Sequence, residues 1–262
     1  MNLKQLCFDV IEITREVGEF LKSSVDQLSD DMIEAKGSMD FVTVVDKKSE
    51  VLIIDRLTEL LPEAGFVAEE GTSTKRGDHY NWIIDPLDGT TNFIHGVFPF
   101  TISIALMHDE ELILGIVHDP IHNECFYAWK DGGAYVNDKP IHVSSRNKLN
   151  QCLVATGFPY TDFSLIDEYM ASLREYMTLT HGVRRLGSAA MDMAYVACGR
   201  YDAFYEYHLK PWDVAAGTVL IREAGGTVCD FNGGDDFLNN ENYVAINGFI
   251  REEFMEIILK HF

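Results

Sequence analysis

At 262 residues the chain can bury a large core in one domain or two closely joined ones, and its 47% hydrophobic and 11% aromatic content excludes a disordered polymer. Acidic residues outnumber basic ones by 42 to 21, a formal charge of −21 that argues against nucleic acid or an anionic membrane as partner. The same surplus looks wrong for binding phosphate, unless several carboxylates hold cations that reverse the local field. The five cysteines form no Cys-x-x-Cys pair, so neither a disulfide framework nor a zinc site is expected and a reducing cytoplasm is the default. The first residues lack the continuous apolar core of a signal peptide, and no apolar run approaches the ~18 residues of a membrane span. A soluble cytoplasmic protein is the expectation.

Taken in chain order, Leu3, Leu6, Val10, Val17, Leu21, Val25 and Leu28 recur at helical intervals and predict a long amphipathic helix over 3–28. A polar loop from Ser29 to Asp40 follows, then a short strand over 41–45 and a second helix from Ser49 to Leu61, stopped by Pro62. Gly65 to Ala68 reads as a strand ending in Glu69-Glu70, with a polar loop over 71–79. Trp82-Ile83-Ile84 has the apolar continuity of a buried strand, halted by Asp85 and Pro86. Asp88-Gly89 is a turn signal, and a helix start is expected at Thr90 to Asn92. Thr101–Met107 with Leu112–His118, and Cys125–Trp129 with Ala134–Val136, have the pattern of hairpins. The first half is therefore helices followed by a β meander.

The second half alternates. Strands are predicted at 153–156, 183–186, 201–205, 227–229 and 243–246, and helices at 165–178, 189–197, 211–224 and 250–261. The helix at Pro211 begins with proline and ends before Gly225-Gly226, the expected asymmetry. Polarity in the stretch from Ser144 to Asn150 suggests a boundary, giving halves 1–148 and 149–262 packed tightly as one α+β layered unit.

Chemistry concentrates where apolar runs stop. Asp85 and Asp88 at the end of a core strand are costly unless a cation compensates them, and a divalent metal with hard oxygen ligands is the simplest compensation. Gly89-Thr90-Thr91 then offers backbone N–H groups able to hold an anion. Glu69-Glu70 and Asp213 lie in two further segments. Read singly, Glu69-Glu70 is a solvated loop charge and Asp213 an acid favoured by the helix macrodipole. Their convergence with the Asp85 stretch would build a two- or three-metal hydrolytic site.

These motifs identify a resemblance. The runs 40–46 (Asp-Phe-Val-Thr-Val-Val-Asp), Glu69-Glu70, 82–92 (Trp-Ile-Ile-Asp-Pro-Leu-Asp-Gly-Thr-Thr-Asn), 185–190 (Arg-Leu-Gly-Ser-Ala-Ala) and 212–217 (Trp-Asp-Val-Ala-Ala-Gly) resemble the inositol monophosphatase family of lithium-sensitive, magnesium-dependent phosphatases, in that family's order. The resemblance implies an αβαβα five-layered sandwich, shared with fructose-1,6-bisphosphatases. It implies Mg2+, two to three ions per site with Mn2+ as a substitute, held by Glu69, Asp85, the Leu87 carbonyl, Asp88 and Asp213, Asp85 bridging two of them. Gly89 and Thr90 would hold the phosphate. Asp46 would support Thr90, and Glu69, or Thr90 with Asp46, would orient or deprotonate the attacking water. Gly187, Ser188, Ala189, Glu206 and Asp213 would face the alcohol. The implied activity is hydrolysis of inositol 1- (or 4-) monophosphate or a related small phosphorylated metabolite by direct water attack, in a homodimer. Fructose 1,6-bisphosphate, NADP(H) and nucleotide 3′-phosphates are the alternative substrates, and a catalytically silent metal- or ligand-binding relative is the remote alternative.

Two departures from the family pattern stand out: a short stretch between Glu70 and Trp82, and Ala68 where glycine is usual. His208 and Lys210 lie in a region that varies between members, where a substrate contact and a surface role are equally open. A haloacid-dehalogenase-type phosphatase is the mechanistic rival, but its Asp-x-Asp-Gly-Thr signature is one residue shorter than the stretch from Asp85 to Thr90. Residues 230–236 only faintly resemble a calcium loop. His118 to His122 reads as a turn, His95 as packing, and Arg185 either as an attractor of anionic substrate or, preferably, as a partner of one of the acids.

Overall fold

Trp82, Ile83 and Ile84 are buried alternately on opposite sides of one strand, and both sides are covered. That is why the stretch is apolar without alternation. In the computed structural model, which describes residues 1–25, 27, 33–35 and 41–262, the run belongs to β4 (Tyr80–Asp88). This strand pairs in parallel with β3 (Gly65–Ala68) and antiparallel with β5 (Thr101–His108). The meander continues through β6 (Glu111–Asp119), β7 (Glu124–Trp129), β8 (Ala134–Val136) and β9 (Lys139–Ile141), giving a seven-stranded sheet in the order β3 to β9, antiparallel throughout except for the β3–β4 pair. The last strand was missed in sequence, being three residues long with proline at its centre.

Helices α1 (Leu3–Val25) and α2 (Val44–Leu60) cover one face, where Val10, Val17, Leu21, Ile53 and Leu57 pack with Trp82, Ile84 and Ile104. The other face meets α5 (Ala189–Ala197) and α6 (Pro211–Glu223), which in turn lie against a second sheet. That sheet runs β11 (Gly182–Arg184), β10 (Leu153–Thr156), β12 (Ala203–Tyr207), β14 (Asn242–Ile246), β13 (Thr227–Cys229), with β10 parallel to β11 and β12 and the other pairs antiparallel. Its outer face carries α4 (Ile166–Leu179) and α8 (Arg251–His261), with Tyr169, Tyr176 and Phe254 at their contact with Tyr205 and Val244. Helix, sheet, helix, sheet, helix is the expected five-layered order, and each of three apolar clusters fills one helix–sheet boundary or the central layer. The remaining elements are β1 (Ile33–Ala35), β2 (Phe41–Thr43), α3 (Thr90–Ile94), a 3-10 turn at Leu149–Gln151 and α7 (Phe237–Asn240).

Three local readings are corrected. The second helix begins at Val44, not Ser49, because Thr43 caps it: the Thr43 hydroxyl accepts from Val45 N at 3.0 Å, and Asp46 reaches back to Thr43 N at 2.8 Å. This reciprocal cap contributes about 1 kcal/mol and outweighs the β propensity of the valines. The third strand of the second half begins at Ala203 and runs to Tyr207, so Glu206 lies inside it, opposite Tyr243. The first helix ends at Val25. Leu28 and Asp40 lie outside the described residues, as does most of the predicted loop 29–40, within which 33–35 form β1, paired with β2.

Candidate functional site

Strand β4 does not stop at Asp85. Its register against β5 pairs Asp85 with Ser103 and Asp88 with Thr101, so three steps on β4 oppose two on β5. The extra residue falls at Pro86–Leu87, a bulge where proline's missing N–H does no harm. Its consequence decides the site. In a regular strand, residues three apart point to opposite faces; here Asp85 and Asp88 share the face of Ser103 and Thr101.

That face meets the starts of two helices from the other half of the chain. Ser103 donates to Trp212 O at 3.2 Å, and the Thr101 and Ser188 hydroxyls lie 3.1 Å apart. One Asp88 oxygen accepts from Ser188 Oγ at 2.7 Å and from Ala190 N at 2.8 Å, which ties β4 to the first turn of α5. Asp213 stands in the first turn of α6 and accepts from Lys210 N at 2.6 Å. Next to Asp88, Gly89 adopts φ +95°, a conformation that favours glycine, and opens α3. Thr90 donates to Asp46 at 3.0 Å and lies 3.1 Å from Leu87 O, so Asp46 orients the Thr90 hydroxyl.

Glu69, Asp85, Leu87, Asp88, Gly89, Thr90, Gly187, Ser188, Ala189, Glu206 and Asp213 all line one cleft of about 340 Å3; Asp46 lies behind it. The electrostatics of the bare protein are adverse. Burial holds the Asp85 carboxyl well above the usual carboxylate range, and Glu69, Asp88 and Asp213 push it further up. Burial and then Asp88 raise Asp213 in the same way. Asp88 is raised by burial despite its donors, and Asp46 by burial despite Thr43 and Thr90. Among the described residues, no three His, Cys, Asp or Glu side chains are already gathered as an ion cage. The donor set itself, several buried carboxylates and a carbonyl at a strand bulge, is all hard oxygen and suits a magnesium-type cation.

Sequence reasoning overlooked several residues here. Glu50, buried four residues after Asp46 on α2, accepts from Glu70 N at 2.7 Å and Thr72 N at 2.8 Å and so fixes the segment carrying Glu69. The i, i+4 spacing of Asp46 and Glu50 was the available signal. Asp192 lines the cleft, is 1% exposed, and keeps one oxygen without a hydrogen-bond partner. Glu206 is pushed up to about 8 by burial, with Arg185 opposing. Gly157 permits this enclosure, since a Cβ there would lie 1.9 Å from the Glu206 carboxylate.

Arg185 makes no ion pair with an acid among the described residues, contrary to the sequence reading. It stacks on Phe158 and Tyr160, 5.6 and 5.5 Å from their ring centres, and donates to the Tyr160 hydroxyl. His208 and Lys210 line the cleft and are both tied to Glu241. His95 is exposed rather than packed. His118 is buried at the end of β6, its Nδ1 3.0 Å from Thr14 O, so the turn expected over His118–His122 starts only after Asp119, which accepts from Ile121 N and His122 N; Asp230 is satisfied by Asn232 N, Gly234 N and Asn240.

The model of the inositol monophosphatase family matches residues 2–262. The chain belongs to that family. It is 41% identical over 248 residues to a protein named putative Nus factor SuhB from Neisseria meningitidis, covering 94% of this chain and 95% of that one. An inositol-1-monophosphatase from Mesorhizobium japonicum is 38% identical over 252 residues, 96% of this chain and 95% of its own. The crystal structure of the extragenic suppressor protein SuhB from Bartonella henselae superimposes with a TM-score of 0.92 at 37% identity, covering 98% of this chain and 100% of that one. Membership implies a metal-dependent phosphatase scaffold with small phosphate esters as substrates. No helix among the described residues is long and apolar enough to cross a membrane.

Proposed function

We propose that the cleft hydrolyses a small phosphate monoester, inositol monophosphate or a close relative, with Mg2+ and by direct attack of water. The observation that carries this reading is the bulge in β4, which sets Asp85 and Asp88 on one face, facing Asp213 and Glu69, with Gly89 and Thr90 alongside. Glu69, Asp85 and the Leu87 carbonyl would hold one cation, and Asp85, Asp88 and Asp213 a second, with a third, weaker one near Glu69. When bound, the cations neutralise the phosphate dianion and lower the pKa of a water to near neutrality.

The rest is work for the chain. Gly89 and Thr90 present N–H groups to the phosphate oxygens, and the left-handed glycine lets the backbone approach. Thr90 accepts from the attacking water while donating to Asp46, so that the water's proton passes through Thr90 to Asp46, or Glu69 positions the water and takes the proton directly. Asp213 lies near the departing oxygen, while Gly187, Ser188, Ala189 and Glu206 face the alcohol. No residue is needed as a nucleophile, because water supplies the attacking oxygen; Asp85 is held in place by accepting from Leu87 N at 2.9 Å.

Phosphate release from a panel of inositol, sugar and nucleotide phosphates, with Mg2+, with chelator and with Li+, tests the reading. We expect metal-dependent turnover that Li+ inhibits. Absence of release with every substrate would revive the silent binding relative, and trapping of a phosphoaspartate at Asp85 would sink the direct mechanism. A cytoplasmic homodimer acting on a metabolite completes the reading. The name of the Neisseria relative points to a transcription role for that protein; here the charge of −21 supports a small-molecule partner, and a gel shift of DNA or RNA would overturn that part.

A further inference from the structure

Three basic residue types line the cleft: Arg185, His208 and Lys210. Lys210 is neutralised by an ion pair with Glu241, whose other oxygen lies 3.1 Å from His208 Nδ1. Arg185 has no such partner among the described residues, although Asp88, Asp192 and Glu206 all feel its charge. Asp88 spends its acceptor on Ser188 and Ala190, and the other two acids are buried without reaching the guanidinium.

What holds Arg185 is aromatic. The guanidinium rests against Phe158 and Tyr160, themselves 46% and 37% exposed, so the stack stands at the rim of the cleft rather than in the core. The side chain folds over Gly187, where a Cβ would come within 2.7 Å of Nη1, and this places the cation beside the segment facing the alcohol. Its buried Nε has no acceptor. A guanidinium held against two rings, with donor capacity left over, is preorganised for a planar or tetrahedral anion. Its position relative to Gly89 matters too: a Cβ on Gly89 would lie 3.1 Å from Gly187 O, so the phosphate loop and the Arg185 segment are neighbours across the cleft.

We propose that Arg185 is a specificity-determining residue that binds a second anionic group, phosphoryl or carboxylate, carried by the same small molecule whose phosphate ester is cleaved. The inference rests on the phosphatase reading above and singles out, among the small phosphate esters the cleft would take, those that carry a second anion. The stack with Phe158 and Tyr160 holds the fork, and the second anion supplies the partner that no carboxylate among the described residues provides.

Matched substrate pairs test it. Fructose 1,6-bisphosphate against fructose 1-phosphate isolates a second phosphoryl group; 6-phosphogluconate against sorbitol 6-phosphate isolates a carboxylate. Wild-type enzyme should favour the doubly charged member of at least one pair in kcat/KM, through a lower KM. Arg185→Gln should cut that preference ratio about ten- to hundredfold, the range of a charge-assisted pair. Arg185→Lys, which keeps the charge and loses the fork, should give an intermediate ratio and guards against a folding defect in the first variant. A wild type without preference, or variants that slow both members of each pair equally, overturns the proposal and leaves the phosphatase reading standing. Failure of all four esters in the wild type, under conditions where inositol phosphate is also inert, removes both.

Discussion

Replacing Glu206 with glutamine should make the cation-free protein more stable while making the enzyme worse. Burial raises this carboxyl from 4.5 to about 8, and at 9% exposure solvent screening cannot remove the effect. A folded-state value above the unfolded one means that protonated Glu206 carries no penalty below about pH 4.5. Stability then declines as pH rises from there through about 8. The decline amounts to roughly 3 kcal/mol at pH 7 and roughly 5 kcal/mol above pH 8, at 1.36 kcal/mol per pH step. Glutamine has nearly the same shape and no charge, so Glu206→Gln should escape the loss. Thermal unfolding of chelator-treated wild type and variant at pH 5, 7 and 9 reads this directly. The two should nearly coincide at pH 5 and diverge steadily above it, by about 6 °C in melting temperature at pH 7 for a chain of this size. Parallel pH curves would refute the reasoning, since they would show a carboxyl that is solvated or paired. Lost turnover alongside gained stability would mark Glu206 as a group kept for function.

Mg2+ should stabilise the wild type by about 2.7 kcal/mol at a hundredfold excess over its dissociation constant, read as a melting-temperature rise of about 5 °C; no rise with Mg2+ or Mn2+ would remove the carboxylates as ligands. Asp88→Asn should abolish most phosphate release with an unchanged circular dichroism spectrum, and near-wild-type turnover would take Asp88 out of the site. In Gly157→Ala the new methyl must displace the Glu206 carboxylate, so KM should rise and stability fall by about 1–3 kcal/mol. Unchanged KM there would argue that Glu206 does not face the substrate.

Much of this was legible locally. The apolar run Trp82–Ile84 declares a strand buried on both faces, Pro211 and Gly225 bracket α6, and the Asp-Pro-Leu-Asp-Gly-Thr-Thr string carries the family resemblance, because each signal is written in neighbouring residues. The start of α2 was recoverable in principle from Thr43 and Asp46, whose reciprocal cap is also local; strand propensity at Val44-Val45 hid it. Arg185 was misread because sequence shows which charges exist and not which ones touch.

The sequence by itself determined the main candidates for the chemistry, since carboxylates at the ends of apolar runs and a glycine before two threonines are choices of residue type. Only the tertiary structure decided that they form a site. Asp85 and Asp88 share a face because one extra residue on β4 shifts its register against β5, a property of the pair of strands. Asp88 reaches Ser188 and Ala190 a hundred residues away, Glu50 holds Glu70, and Arg185 finds Phe158 and Tyr160 instead of an acid. Such contacts follow from how helices and sheets stack in layers, and no window of neighbouring residues contains them.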